Sequence, residues 1–385
     1  MGRLGEIFRA HGDEYRARFA SRMSVDQLRA MRDIEACHTP AAGRARWACP
    51  RCGTRHFTFV GCGNRHCPAC GGTRAKQWLR KHCALLLPGT VYHLVTFTVP
   101  RELRRVIRSH PRELLDLLMR VSADTLLDLA ANPRWLGGLP GATAVLHTWT
   151  RQGLYHPHVH FIVTGGGIDE QGRWREAHPG FLVPVWALSR VFRARLRDEL
   201  REQHPQLFAE VDPKAWSLPT AASGTPSARA WVVHSKPVGS GHKTLRYLSR
   251  YVYRVALSER AILGFRDGRY IVRYRRSDTN QPRIMRLEPH ELIRRFLQHV
   301  LPSQFRKIRY FGLHHSSRRP VLRLLQAAMA LRLGQPLPPE PATEDDPFVP
   351  TCPACQTPMV FEKRVPPLAH LLFAVAAGLN RGPPT

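Results

Sequence analysis

A chain of 385 residues can bury at least one full core, and 58 Lys and Arg against 29 Asp and Glu give it a formal charge of +29. The excess is spread along the whole length and leans on arginine, which predicts a folded protein with a wide polyanion-binding surface and nucleic acid as its partner rather than a basic tail. Met1 to Arg32 is charged and amphipathic instead of signal-like, and the longest apolar run, Leu368 to Leu379, is broken by His370 and too short for a bilayer, so no membrane partner and a cytoplasmic location are expected.

In chain order, residues 13–36 predict a helix ending near Cys37, and residues 37–72 a short Gly- and Cys-rich module stapled by metal. The nine cysteines come mostly as Cys-x-x-Cys pairs, which in a cytosolic chain favours metal over disulfide. Cys49 and Cys52, with Cys67 and Cys70 fourteen residues further on, have the spacing of a structural Zn²⁺ site built from two knuckles. Cys37, Cys62 and His66, with His38, are candidates for a second zinc site in the same module, and Cys83 reads as a core thiol. Cys352 and Cys355 have no second pair close by in the chain and read either as half a knuckle completed elsewhere or as no site at all.

From residue 91 apolar strands alternate with amphipathic helices. Residues 92–99 predict a strand closed by Pro100, 101–131 a helix interrupted at Pro111, 142–149 a strand, 150–155 a turn and 159–164 a third strand. A basic helix over 185–203, a strand over 230–234, a helix over 242–257, a β-meander over 261–287 and a helix over 288–300 follow. Residues 336–350 are Pro- and acid-rich and predict a linker, and the tail beyond it ends in an amphipathic helix. The sum is an α+β fold with a mainly antiparallel sheet and flanking helices, preceded by a small zinc-binding module.

Two motifs carry chemistry. In His156-Pro157-His158-Val159-His160, residues two apart on a strand point the same way, so His158 and His160 share a face while Val159 enters the core. With 20 histidines one His-x-His arises by chance, but three in alternation do not, and two imidazoles on one strand are placed to hold a divalent metal. Pro157 is expected to keep His156 out of the ladder. His147 on the neighbouring strand and Gln152 in the turn are the candidates for a third ligand. In the helix expected over 242–257, Leu245, Leu248, Val252 and Val255 form the apolar face. Tyr247 and Tyr251 sit one turn apart on the polar face, with Lys243, Arg250 and Arg254 around them as candidate DNA contacts. Phenols among cations suit attack on a phosphodiester. Gly239 to Thr244 departs from phosphate-loop spacing at His242.

With Cys62-Gly63-Asn64-Arg65-His66-Cys67-Pro68-Ala69-Cys70, His156 to Gly167 and Tyr247-Leu248-Ser249-Arg250-Tyr251 in this order, the chain resembles the two-tyrosine HUH (His-hydrophobic-His) rolling-circle insertion-sequence transposases that carry an N-terminal zinc-binding domain. The likeness spans most of 30–315. It implies an HUH-type sheet and a bacterial, nucleoid-associated enzyme that nicks and rejoins single-stranded DNA at element ends and target through a 5′-phosphotyrosine. It further implies Tyr247 and Tyr251 as nucleophiles, His158 and His160 as ligands of Mg²⁺ or Mn²⁺, and a homo-oligomer as an open question. The chain departs from the pattern at Arg44-Ala45-Arg46 and at Tyr253, where relatives tend to have histidines. The expected domains are a helical region (1–36), a zinc-binding domain (37–90), a catalytic domain (91–315) and a linker with tail (316–385). A plasmid relaxase or replication initiator of the same chemistry, and a non-catalytic zinc-ribbon DNA-binding protein, remain alternatives.

Overall fold

The computed structural model describes residues 3–178, 180–217, 231–240, 245–246, 257–276, 279–336 and 348–367. Its strands are β1 (Arg44–Ala48), β2 (Arg55–Phe59), β3 (Tyr92–Thr98), β4 (Leu139–Trp149), β5 (Tyr155–Ile168), β6 (Trp174–Glu176), β7 (Val232–Pro237), β8 (Ile262–Arg266), β9 (Arg269–Arg275), β10 (Pro282–Leu287), β11 (Ile308–Gly312) and β12 (Val360–Val365). Among the described residues every strand pairing is antiparallel, and with the intervening helices this makes an α+β protein. No helix of the described residues is long and apolar enough to cross a membrane.

Two compact units form. One comprises residues 1–74, 253–300 and 343–385; the other comprises 75–252 and 301–342. This differs from the linear division into domains at 36, 90 and 315. The cause is long-range packing: Leu4, Ile7, Phe8, Met31 and Ile34 of the N-terminal helices share a core with Leu257, Ile262, Val272, Leu287 and Phe296. The Phe8 and Phe296 rings meet edge to face at 5.4 Å. The tail, expected to be a separate appendage, instead contributes β12 to the sheet β12-β1-β2 of the same unit. The meander forms as expected, in the order β10-β9-β8.

The single helix expected over 13–36 is two, Arg3–Phe19 and Val25–Ala36. Ser24 starts the second: its Oγ accepts from the Gln27 amide at 3.2 Å, and the Gln27 side chain accepts from the Ser24 amide at 3.0 Å. That reciprocal capping box satisfies two otherwise orphaned donors and terminates continuity with the first helix.

In the larger unit β11-β4-β5-β3-β7 form one sheet, with β6 paired to β5. Pro111 starts the helix Pro111–Ala131 at its first turn, where the missing N–H costs nothing. Leu114, Leu117, Leu118, Val121 and Thr125 recur every three or four residues and are buried. The helix Val185–Gln203 buries Leu188, Phe192, Leu196 and Leu200 at spacing four. Both stripes pack on Val95, Phe97, Val159, Phe161 and Val163, the core face of the sheet. At about 1.5–3 kcal/mol per fully buried large side chain, this face fixes the register of β3, β4 and β5. The opposite face is thereby free to carry polar chemistry.

Pro157 lies inside β5, not before it. It is accommodated because β3 pairs with β5 only from His158 onward, and the β4 ladder shifts register between His147 and Trp149, so no bond is demanded of Pro157.

Candidate functional site

The polar face of the sheet assembles three histidines. His147 on β4 pairs directly with His158 on β5, and Val145 and Thr96 flank His160. One side-chain nitrogen from each of His147, His158 and His160 lies within 4.8 Å of the others. Ring centroids are 5.4 Å apart for His147 and His158, 4.7 Å for His147 and His160, and 4.8 Å for His158 and His160. His147, one of the two candidates for a third ligand, stands in this group; the backbone amide of the other, Gln152, bonds Thr150 Oγ1 in the turn.

Second-layer bonds orient the rings. His158 Nδ1–H donates to the His156 carbonyl at 2.7 Å. A carbonyl only accepts, so the proton is on Nδ1 and the Nε2 lone pair is free for a metal. His160 Nδ1 bonds the Thr96 hydroxyl at 2.8 Å, leaving its Nε2 in the same role. Burial pulls His158 down to about 4 and His160 to about 3, and takes His147 well below its ordinary range, where the crowding of His160 and His158, which would repel a second proton, and the charge of Lys307 add to the effect. All three are held neutral at physiological pH, the ligating form. The donor set and its tautomers fit a divalent ion. Three imidazoles favour a first-row transition ion over Mg²⁺, which prefers oxygen.

Several neighbours escaped the sequence reading. Trp149 stacks on His147 with centroids 5.1 Å apart, and Lys307 Nζ lies 4.7 Å from the Trp149 ring. Arg104 depresses both His156 and His158 by its charge, and its buried Nε has no hydrogen-bond partner. Thr96 was findable from the Thr96-Phe97-Thr98 alternation alone; Trp149, Lys307 and Arg104 had no local signal.

The cysteines regroup. Cys67 and Cys70 cluster with Cys37 and Cys62, whereas Cys49 and Cys52 cluster with Cys352 and Cys355. The four-sulfur set Cys49, Cys52, Cys67 and Cys70 expected from spacing is therefore not the one the chain assembles. In the first cluster the sulfurs of Cys37 and Cys70 are 3.6 Å apart, Cys37 and Cys67 3.6 Å, and Cys62 and Cys70 3.9 Å. Tetrahedral zinc with Zn–S bonds of about 2.3 Å requires about 3.8 Å between sulfurs. His66 is not in this group; its amide bonds Asn64 Oδ1 at 2.9 Å, and Cys70 takes the fourth place. Cys83 is half-buried, and burial raises its thiol.

On the sheet β12-β1-β2, Phe57 and Phe59 are exposed at 47% and 41%. They stand on one face with Arg55, opposite Arg46 and Arg44 of β1. Arg44 lies over the Phe59 ring at 5.9 Å. Glu362 pairs with Arg46 at 2.5 Å, which leaves a net cationic, aromatic surface.

Lys243, Tyr247, Arg250, Tyr251 and Arg254 lie outside the described residues. Of that segment Leu245 and Arg246 are described; Leu245 is buried, as expected of the apolar face, and Arg246 is exposed.

Comparison with known proteins completes the description. Residues 141–320 match the family model for a putative transposase, and residues 7–99 match the transposase zinc-binding domain. Putative transposase y4qJ of Sinorhizobium fredii is 38% identical over 319 residues, covering 80% of this chain and 79% of that protein. The transposase for insertion sequence element IS801 of Pseudomonas savastanoi pv. phaseolicola is 32% identical over 303 residues, 73% of this chain and 70% of its own. No solved structure matches.

Proposed function

The chain belongs to the insertion-sequence transposases that carry an N-terminal zinc-binding domain, and from that premise we propose that it cleaves and rejoins single-stranded DNA through a covalent tyrosine intermediate. The observation that carries this reading is the convergence of buried His147 with half-buried His158 and His160, with the tautomer of His158 set by a backbone carbonyl. A purely structural DNA-binding domain has no use for three neutral imidazoles converging on one point.

In this reading His147, His158 and His160 would hold a divalent ion, which when bound would supply Lewis-acid chemistry at the scissile phosphate. Tyr247 or Tyr251 supplies the nucleophile: its phenol oxygen bonds the phosphorus, and the P–O3′ bond breaks. The 3′ oxygen leaves as a free hydroxyl, and the 5′ phosphate stays on the tyrosine. A tyrosine with an ordinary pKa near 10 needs activation, and cations such as Lys243, Arg250 and Arg254 would lower the cost of the phenolate. Attack by a 3′-hydroxyl on the phosphotyrosine reverses the step and rejoins the strand without a nucleotide cofactor. Arg104, cationic and short of a partner at Nε, would hold a phosphate oxygen beside His158. The work would be done in the cytoplasm, at the nucleoid.

The test is incubation of the protein with single-stranded oligonucleotides from the ends of its own element and Mn²⁺. A protease-sensitive, SDS-resistant adduct is expected, absent with Tyr247→Phe/Tyr251→Phe. An adduct that survives in the double variant places the nucleophile elsewhere.

A further inference from the structure

We propose that Cys49, Cys52, Cys352 and Cys355 hold a zinc ion that clasps residues 348–365 to the N-terminal zinc module, in addition to any ion on Cys37, Cys62, Cys67 and Cys70. The Sγ atoms of the four residues fall within the range a single metal demands. Cys49 and Cys355 are 3.4 Å apart, Cys52 and Cys352 3.6 Å, and Cys52 and Cys355 3.6 Å. These separations are close to the tetrahedral thiolate spacing of about 3.8 Å and far above the disulfide length of about 2.05 Å.

The two halves are copies of one local structure. Cys49-Pro50-Arg51-Cys52-Gly53-Thr54 and Cys352-Pro353-Ala354-Cys355-Gln356-Thr357 share their spacing and their turn. The Cys49 amide donates to the Thr54 carbonyl at 2.9 Å, and the Cys352 amide to the Thr357 carbonyl at 2.8 Å. Gly53 and Gln356 amides return to the Cys49 and Cys352 carbonyls at 3.0 and 2.9 Å. Both turn residues are left-handed, Gly53 at φ 70° and Gln356 at φ 59°. A glutamine accepts that conformation only where its surroundings impose it. Each second cysteine also has a threonine hydroxyl beside its sulfur, Thr54 Oγ1 at 3.2 Å from Cys52 and Thr357 Oγ1 at 3.4 Å from Cys355. Hydroxyls so placed stabilise a thiolate ligand.

The knuckles join residues about three hundred apart in the chain, and the apolar core shared there is small, Ala45, Trp47, Cys49, Cys352 and Met359. Metal ligation supplies what that core lacks, and β12 then pairs along β1 from Ala48↔Val360 to Arg44↔Val365. The two clusters differ in access. Each has two buried cysteines, Cys49 and Cys352 here and Cys37 and Cys67 there, but Cys52 is exposed whereas no cysteine of the other cluster is. The clasp is therefore the ion a chelator removes first.

The full-length protein, purified with zinc, is the sample. Native mass spectrometry and elemental analysis should find two zinc ions per chain, and one in Cys352→Ser/Cys355→Ser. Iodoacetamide labelling of the wild-type protein keeps the test open should that variant fail to fold. Cys49, Cys52, Cys352 and Cys355 should be protected together and become reactive together in an early chelation phase, before Cys37 and Cys67. A single zinc in the wild type, an undiminished zinc count in the double serine variant, or labelling of Cys352 and Cys355 at a rate indifferent to chelator would each overturn the clasp.

Discussion

His147 stands directly across the β4–β5 ladder from His158, their rings perpendicular and their centroids 5.4 Å apart. Register alone makes that pair: a shift of one residue in β5 would send His158 and His160 into the hydrophobic core and bring Val159 out. Because Phe97, Val159 and Phe161 anchor the other face, the histidines inherit their geometry from the core.

The first prediction concerns Thr96, which bonds His160 Nδ1 and would act on a bound ion only through that ring. Thr96→Val removes that bond while keeping the shape of the side chain. Mn²⁺ affinity, followed by calorimetry, should fall about 10–100-fold, the usual effect of losing a partner that orients a ligand. Thr96→Ser should restore it. His147→Ala should weaken Mn²⁺ at least as much, and the all-nitrogen donor set should bind Mn²⁺ well ahead of Mg²⁺. Unchanged affinity in Thr96→Val would remove Thr96 from the site.

Acid stability offers a second check, on histidines away from the metal group. His82 is stacked between Trp78 and Tyr310, donates Nδ1–H to the Trp78 carbonyl at 2.6 Å, and accepts at Nε2 from the Tyr310 hydroxyl. Burial lowers it to about 4, and burial lowers His314 to about 3. An unfolded histidine protonates near 6.5. Between about 6.5 and 4 the unfolded chain therefore binds more protons than the folded one, so stability is whole above pH 6.5 and declines as pH falls through that window. The full loss is on the order of 3 kcal/mol for His82 and about 5 kcal/mol for His314, whose part extends to about pH 3. His82→Phe keeps the stack and removes the titration, so the plot of unfolding free energy against pH should flatten by one proton's slope. The same slope in variant and wild type would show that His82 does not carry the effect.

What the sequence disclosed follows the range of the forces involved. The His-x-His alternation was legible because strand periodicity is local, and so was the polar face it marks. The cysteine knuckles were legible too, yet not their partners. Cys49 meets Cys355 only because β12 pairs with β1, a contact between chain ends that no spacing encodes. The same long-range packing drew the meander and the helix Pro289–Leu297 to the N-terminal helices rather than to the large sheet. The break at Ser24 was readable in principle, since Ser24-Val25-Asp26-Gln27 is a capping-box pattern.

A third prediction addresses the aromatic face of the zinc module. Phe57→Ala/Phe59→Ala removes two exposed rings and no charge. If bases stack there, single-strand affinity should fall by about 1–3 kcal/mol per stacked base, with duplex binding little changed. The salt dependence should keep its slope, because the arginines remain. Fluorescence anisotropy across a salt series reads both quantities. Equal affinity in variant and wild type would leave the rings without a role in DNA contact.

The last prediction separates holding DNA from cutting it. With a formal charge of +29, the chain should bind nucleic acid mainly by releasing counterions, so affinity should fall steeply and linearly in log–log form as salt rises. His147 is buried, His158 and His160 are half-buried, and all three are held neutral, so they contribute almost nothing to that term. His158→Ala/His160→Ala should therefore leave single-strand binding within a few fold and preserve its salt slope. Covalent attachment to oligonucleotide should be lost all the same, since the variant retains at most one of three imidazoles and with it too little affinity for the ion. Leaving the buried face without its imidazoles also opens a cavity, so a modest drop in melting temperature is expected. His158→Gln/His160→Gln, which fills more of the space without restoring the ligands, should recover stability but not cleavage. Were cleavage to persist in either variant at wild-type rate, the histidines would be structural, and the site of chemistry would have to be sought on another face of the sheet.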